Sequence, residues 1–111
     1  MSEKPEISYE RGYVVARDIP VNLERGIVSA PACYITLECR KYKNEILFSS
    51  KGNVVSGKSI MGLMTLEAEK GSRLNVLVQN LPGTNPKRIA ERLYSGITSM
   101  SENPDFDRNP D

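Results

Sequence analysis

Residues able to do covalent chemistry are few in this chain, and one type is missing. Among its 111 residues there is no histidine, so no phosphohistidine can form. Three candidate nucleophiles remain in suggestive surroundings: Ser29 in Val28-Ser29-Ala30-Pro31, Cys33 a turn later, and Ser59 in Lys58-Ser59-Ile60-Met61-Gly62-Leu63-Met64. Cys33 and Cys39 fall in one expected helix, where they project from different faces about 9 Å apart along the axis, beyond disulfide reach. Both read as reduced, and Cys33, off the main apolar face, has no imidazole nearby in sequence or anywhere else to activate it.

The stretch Gly52-Asn53-Val54-Val55-Ser56-Gly57-Lys58-Ser59 satisfies the phosphate-loop expression G-x-x-x-x-G-K-[ST] in full. The match is rejected as a nucleotide site. A phosphate loop wraps backbone N–H groups around its ligand between a buried parallel strand and a long helix, whereas Val54-Val55 reads as a strand in its own right. No hydrophobic run ends in an acid that could serve magnesium. Neither a metal nor another cofactor is expected.

Ser59 stands where a short helix begins, and its plainest role is the N-cap. A phosphate on it would be favoured by the positive pole and free N–H groups of that helix end, so modification need not unfold the helix. Ile60, Met61, Leu63, Met64 and Leu66 crowd the same helix and cannot all face inward. Leu63 and Leu66, three apart, fit a buried side, which leaves Ile60, Met61 and Met64 as an exposed apolar patch suited to partner docking.

The elements that position these residues follow from periodicity. Tyr13 to Arg17 is expected as a strand. Ser29 before Pro31 is expected to cap a helix in which Ala32, Ile35, Cys39 and Tyr42 share the core stripe. Ile46-Leu47-Phe48 and Asn53 to Ser56 read as a hairpin turning at Lys51-Gly52. Leu74, Val76 and Val78 alternate as a half-buried strand. Pro86 opens a last helix with Ile89, Ala90, Leu93 and Ile97 on one side. The order βαββαβα predicts an α+β sandwich with helices on one face of an antiparallel sheet. The folded unit is expected over residues 12–99, with residues 1–11 and the acidic tail 100–111 disordered.

Composition adds limits. The hydrophobic fraction of 39% and the charged fraction of 26% are ordinary for a single globular domain. No apolar run is long enough to cross a bilayer, and the first residues do not form a secretory signal, so a cytoplasmic protein without membrane association is expected. Residues 11–99 hold thirteen Lys and Arg against seven Asp and Glu, while both ends together hold two against seven. The bland reading is a mixed solvated surface; the sharper one is a basic docking face for an acidic protein. Nucleic acid is not expected, because the basic residues are dispersed and the strand aromatics lack the RNA-binding pattern.

Two motifs together resemble the HPr family, the phosphocarriers of the bacterial sugar phosphotransferase system. Gly26-Ile27-Val28-Ser29-Ala30-Pro31-Ala32 is similar to the family's Gly-Leu-His-Ala-Arg-Pro-Ala, and Lys58-Ser59-Ile60-Met61-Gly62-Leu63-Met64 matches its second motif. The resemblance spans roughly residues 12–99. It implies an open-faced β-sandwich of four antiparallel strands and three helices. It places the phosphorylated His at Val28 and its partner Arg at Ala30, and identifies Ser59 with the regulatory serine phosphorylated by HPr kinase/phosphorylase. It also assigns Ile60, Met61 and Met64 to the surface that meets enzyme I, enzyme II A domains, the kinase and a catabolite-control transcription factor.

With the His position erased and the serine motif intact, the chain is similar to the catabolite-repression HPr paralogue, which keeps the Arg that is lost here. The expected function is a non-enzymatic, HPr-like regulatory module, monomeric or weakly dimeric, that binds proteins through Ser29, Ile60, Met61 and Met64 and is switched at Ser59. The alternative is a phosphocarrier component that uses another acceptor, Ser29 or Cys33.

Overall fold

Alternation of apolar and polar residues sets the sheet. A computed structural model describes residues 5–66 and 68–102, the last two by backbone alone. Its strands are β1 (Ile7–Glu10), β2 (Tyr13–Pro20), β3 (Ile46–Ser50), β4 (Asn53–Ser56) and β5 (Arg73–Gln79), and its helices are α1 (Ser29–Cys39), α2 (Ile60–Thr65) and α3 (Pro86–Glu102). All pairings are antiparallel, in the order β1-β2-β5-β3-β4. Val14 pairs with Val78 and Val78 with Ile46; Ala16 pairs with Val76 and Val76 with Phe48. These six side chains are fully buried beneath the helices, while Arg17, Leu77 and Leu47 lie on the opposite, open face.

The expected α+β open-faced sandwich is therefore present, with five strands rather than four. The added strand is β1, which falls within the segment expected to be disordered. Arg11 (φ 52°) and Gly12 (φ 86°) form the two-residue hairpin turn whose left-handed backbone matches strand twist. Ile7 packs against the core, and Glu10 pairs with Arg17 across the hairpin. Four residues with one partly buried apolar side chain give too little periodicity to outweigh their polar neighbours.

Strand β2 also runs past its expected end at Arg17. A bulge between Ala16 and Ile19, with Asp18 at φ 61° and its N–H donating to Asn75 Oδ1 at 3.1 Å, breaks the alternation and returns Ile19 to the core.

Helix α1 buries Ala32, Ile35, Thr36 and Cys39, as the stripe predicted apart from Thr36. Tyr42 lies beyond the helix and packs against the core from the following loop. The expected cap at Ser29 is corrected: the N-cap is Val28, in extended backbone (φ −123°), and Ser29 is the first helical residue. The Val28 carbonyl already accepts the Ala32 N–H at 3.0 Å, so the helical ladder starts one residue early. Helix α3 opens as expected at Pro86, with Asn85 Oδ1 accepting the Arg88 N–H at 3.2 Å. It continues to Glu102 and buries Met100, so the folded unit does not stop at residue 99. Residues 1–4 and 103–111, the remainder of the segments expected to be disordered, lie outside the described residues. Among the described residues, no helix is long and apolar enough to cross a membrane.

Candidate functional site

Two stitches hold α1 and α2 side by side. At one end, Ile27 N–H donates to the Ala68 carbonyl at 3.0 Å, which ties the start of α1 to the segment after α2. Gly26 makes this approach possible. It sits at φ 72°, and a Cβ there would lie 2.2 Å from the Ala68 oxygen. At the other end, the Arg40 guanidinium just past α1 donates to the Lys58 carbonyl from Nε at 3.2 Å and Nη2 at 3.0 Å. Lys58 Nζ in turn donates to the Tyr42 carbonyl at 2.6 Å. Gly57 lies against the core: a Cβ would meet Phe48 Cε1 at 2.8 Å and Cys39 Sγ at 2.9 Å. The end of α1 thus meets the start of α2, and the start of α1 meets the end of α2.

Ser59 is the α2 N-cap. Its backbone is extended (φ −121°), its Oγ accepts the Gly62 N–H at 3.0 Å, and its carbonyl accepts the Leu63 N–H at 3.0 Å. A Cβ on Gly62 would stand 3.2 Å from Ser59 Oγ and 3.3 Å from Val55 Cβ. Glycine three residues after the serine therefore lets α2 lie close on β4 without pressing on the hydroxyl. Half of the stretch that imitates a phosphate loop is β4, an edge strand paired with β3.

Leu63 and Leu66 are buried, as their spacing predicted; Met61 is 74% exposed and Met64 40%. Ile60 is corrected in part: it is half-buried and packs against the core, so it borders the patch rather than standing out from it. Val28 is 39% exposed, and Ser29 and Ala30 are exposed beside it. The position matching the family His is thus at the surface but holds only carbon.

Sequence reasoning missed Leu37, 58% exposed, and Tyr34, which extend apolar surface along the solvent side of α1. The signal was present, because they are the large apolar residues of that helix left over once its core stripe is removed. Cys33 is exposed and Cys39 buried, both free; burial pushes the Cys39 thiol up to about 12.

This arrangement defines an open-faced α+β sandwich with a helix-capping serine and a methionine pair on one exposed helical surface. Its backbone is similar to a phosphocarrier HPr from Bacillus anthracis, with a TM-score of 0.67 at 27% identity over 77% of this chain and 96% of that one. The chain belongs to the HPr family: the family's sequence model, described as "PTS HPr component phosphorylation site", matches residues 15–83. Among curated relatives, the "HPr-like protein Crh" of Halalkalibacterium halodurans is 32% identical over 84 residues, 76% of this chain and 96% of that protein. The "Phosphocarrier protein HPr" of Borreliella burgdorferi is 29% identical over 89 residues, 80% of this chain and all of that one.

Proposed function

We propose that this chain is a regulatory, protein-binding member of the family that has lost the phosphocarrier reaction and is switched by phosphorylation of Ser59. The observation that carries this reading is the contrast between Val28, exposed without a lone pair to accept a phosphoryl group, and Ser59, set in an intact cap beside exposed methionines. Phosphate on Ser59 Oγ would sit at the positive end of α2, one residue along from the Lys58 carbonyl that the Arg40 guanidinium holds. It would alter the charge beside Met61 and Met64 without removing the cap acceptor. Partners would be the analogues of those that meet HPr: a kinase/phosphorylase, enzyme I, or a catabolite-control transcription factor.

Incubation with HPr kinase/phosphorylase and ATP, followed by peptide mass spectrometry, is expected to place phosphate on Ser59 alone. An unmodified protein beside a fully modified HPr control would sink the switch.

A second reading, phosphoryl relay through a substitute acceptor, gains from one observation. Ser29 is the first helical residue rather than the N-cap, so its exposed hydroxyl does not serve as the cap of α1. Enzyme I and phosphoenolpyruvate would then leave acid-stable phosphate on Ser29, or phosphothioester on Cys33; the regulatory reading expects neither.

A further inference from the structure

An open cleft of about 380 Å³ lies between the loop after α1 and the first turns of α3, and neither Ser59 nor the methionines are among its lining residues. Four cations line it: Lys41 and Lys43 from the loop, Arg88 and Arg92 from the helix. No carboxylate is among its lining residues. The adjoining acid is Glu38, shared between Lys41 Nζ at 3.0 Å and Arg92 Nε at 3.9 Å. Lys43 and Arg88 form no ion pair among the described residues. Glu91 lies on the groove beyond Arg88, between α1 and α3.

This placement works against the fold's own electrostatics. Arg88 and Arg92 are four apart on one helix face, where like charges repel. Lys87 and Arg88 also occupy the first turn of α3, near the positive pole of the helix, and that turn contains no acidic residue. Chain stability alone would favour Asp or Glu there. An anion in the cavity would relieve both conflicts at once.

The cavity is also built rather than merely bordered. Asn44 is 1% exposed, and its Nδ2 donates to the Gln79 carbonyl and to Thr84 Oγ1, both at 2.9 Å. Thr84 Oγ1 then donates to the Leu81 carbonyl at 2.6 Å. These bonds fasten the turn before α3 to the loop carrying Lys41 and Lys43, fixing the separation of the backbone segments that bear the two cation pairs. Tyr42 and Ile89 add apolar wall, and the volume falls in the range of small-molecule sites.

We propose that this cavity binds a small phosphate ester, its phosphate held by Arg88, Lys43 and the Glu38-linked pair Lys41 and Arg92, its carbon skeleton against Tyr42 and Ile89. Guanidinium forks match phosphate oxygens in pairs, and a dianion suits a cluster of four cations with one nearby carboxylate. The site requires neither a kinase nor a protein partner, so it stands or falls separately from the Ser59 reading.

The test is an amide-resolved NMR titration of the full chain with glycerol 3-phosphate, with inorganic phosphate and with a short poly-glutamate peptide, each against sodium chloride at matched ionic strength. Saturable shifts are expected at Asn44, Thr84, Lys87 and Arg88, with the ester binding more tightly than inorganic phosphate. Arg88→Gln and Lys43→Gln should each weaken binding roughly tenfold, the scale of one lost charge-assisted contact. Lys70→Gln, which breaks the remote pair with Glu24, should leave it unchanged. Three results would each overturn the proposal: shifts that grow linearly and are reproduced by chloride, an affinity indifferent to Arg88→Gln, or saturable binding of an acidic peptide with none of either phosphate.

Discussion

Replacing Ser59 with alanine removes the oxygen that accepts the Gly62 N–H and leaves an unsatisfied donor at the start of α2. The expected cost is about 1 kcal/mol in urea denaturation, with Ser59→Asp close to the parent because its carboxylate keeps the cap. Thr36 should behave in the opposite way. Among the described residues its buried hydroxyl has no hydrogen-bond partner, so Thr36→Val should raise stability by about 1 kcal/mol in the same assay. The two residues also differ in how they could be read from sequence. Ser59 was legible because a cap depends on neighbours a few positions away, and Gly62 follows at the right interval. Thr36 lies one place beside the core stripe, and whether its hydroxyl finds a partner depends on what the fold brings against it. The Val28 cap was misplaced for a related reason: serine is the commoner cap by type, but here the backbone turned helical before its side chain could serve.

Glu38 adds to the apolar packing a polar link from α1 to the loop after it and to α3. Burial pushes its carboxyl up, but hydrogen bonds from Lys41 and Tyr42 and the charges of Lys41 and Arg92 outweigh that and hold it below the usual carboxylate range. A carboxyl with a lowered folded-state pKa contributes stability above its unfolded pKa and loses it as pH falls through the folded value. Glu38→Gln should therefore be less stable than the parent at pH 7, with the gap closing in acid; urea midpoints from neutral pH to below the carboxylate range would measure this. A constant gap would show that Glu38 acts through packing alone. Helices α1 and α3 and strands β3 and β5 could be anticipated because each keeps one period over its length, and the short β4 from its paired valines and the turn at Lys51-Gly52 before it. Strand β1, equally short but with Ile7 set among polar and charged neighbours, could not, and the end of β2 was hidden by the bulge at Asp18, which reverses the alternation midway. The α3 extension was foreshadowed by Met100, three places after Ile97 on the same stripe, but the acidic residues beyond it outweighed that signal.

Across the whole molecule, the sheet order matters more than the number of strands. The local hairpins β1-β2 and β3-β4 are each joined by a two-residue turn, yet they do not touch as strands; β5 lies between them and pairs with both. A chain truncated before Arg73 should keep hairpin propensity but show no cooperative unfolding, whereas one ending after Glu102 should unfold in a single transition, as calorimetry would report. Sequence periodicity could supply the strands but not this order, because which strands become neighbours is settled by contacts between distant parts of the chain. Strand β5 is the last of the five described strands to leave the ribosome and the one through which the two hairpins are joined. Until it emerges, the nascent protein carries two incomplete half-sheets with their pairing edges bare. The interval in which it is most exposed to aggregation and to chaperones is therefore set by the time needed to translate and release residues 73–79.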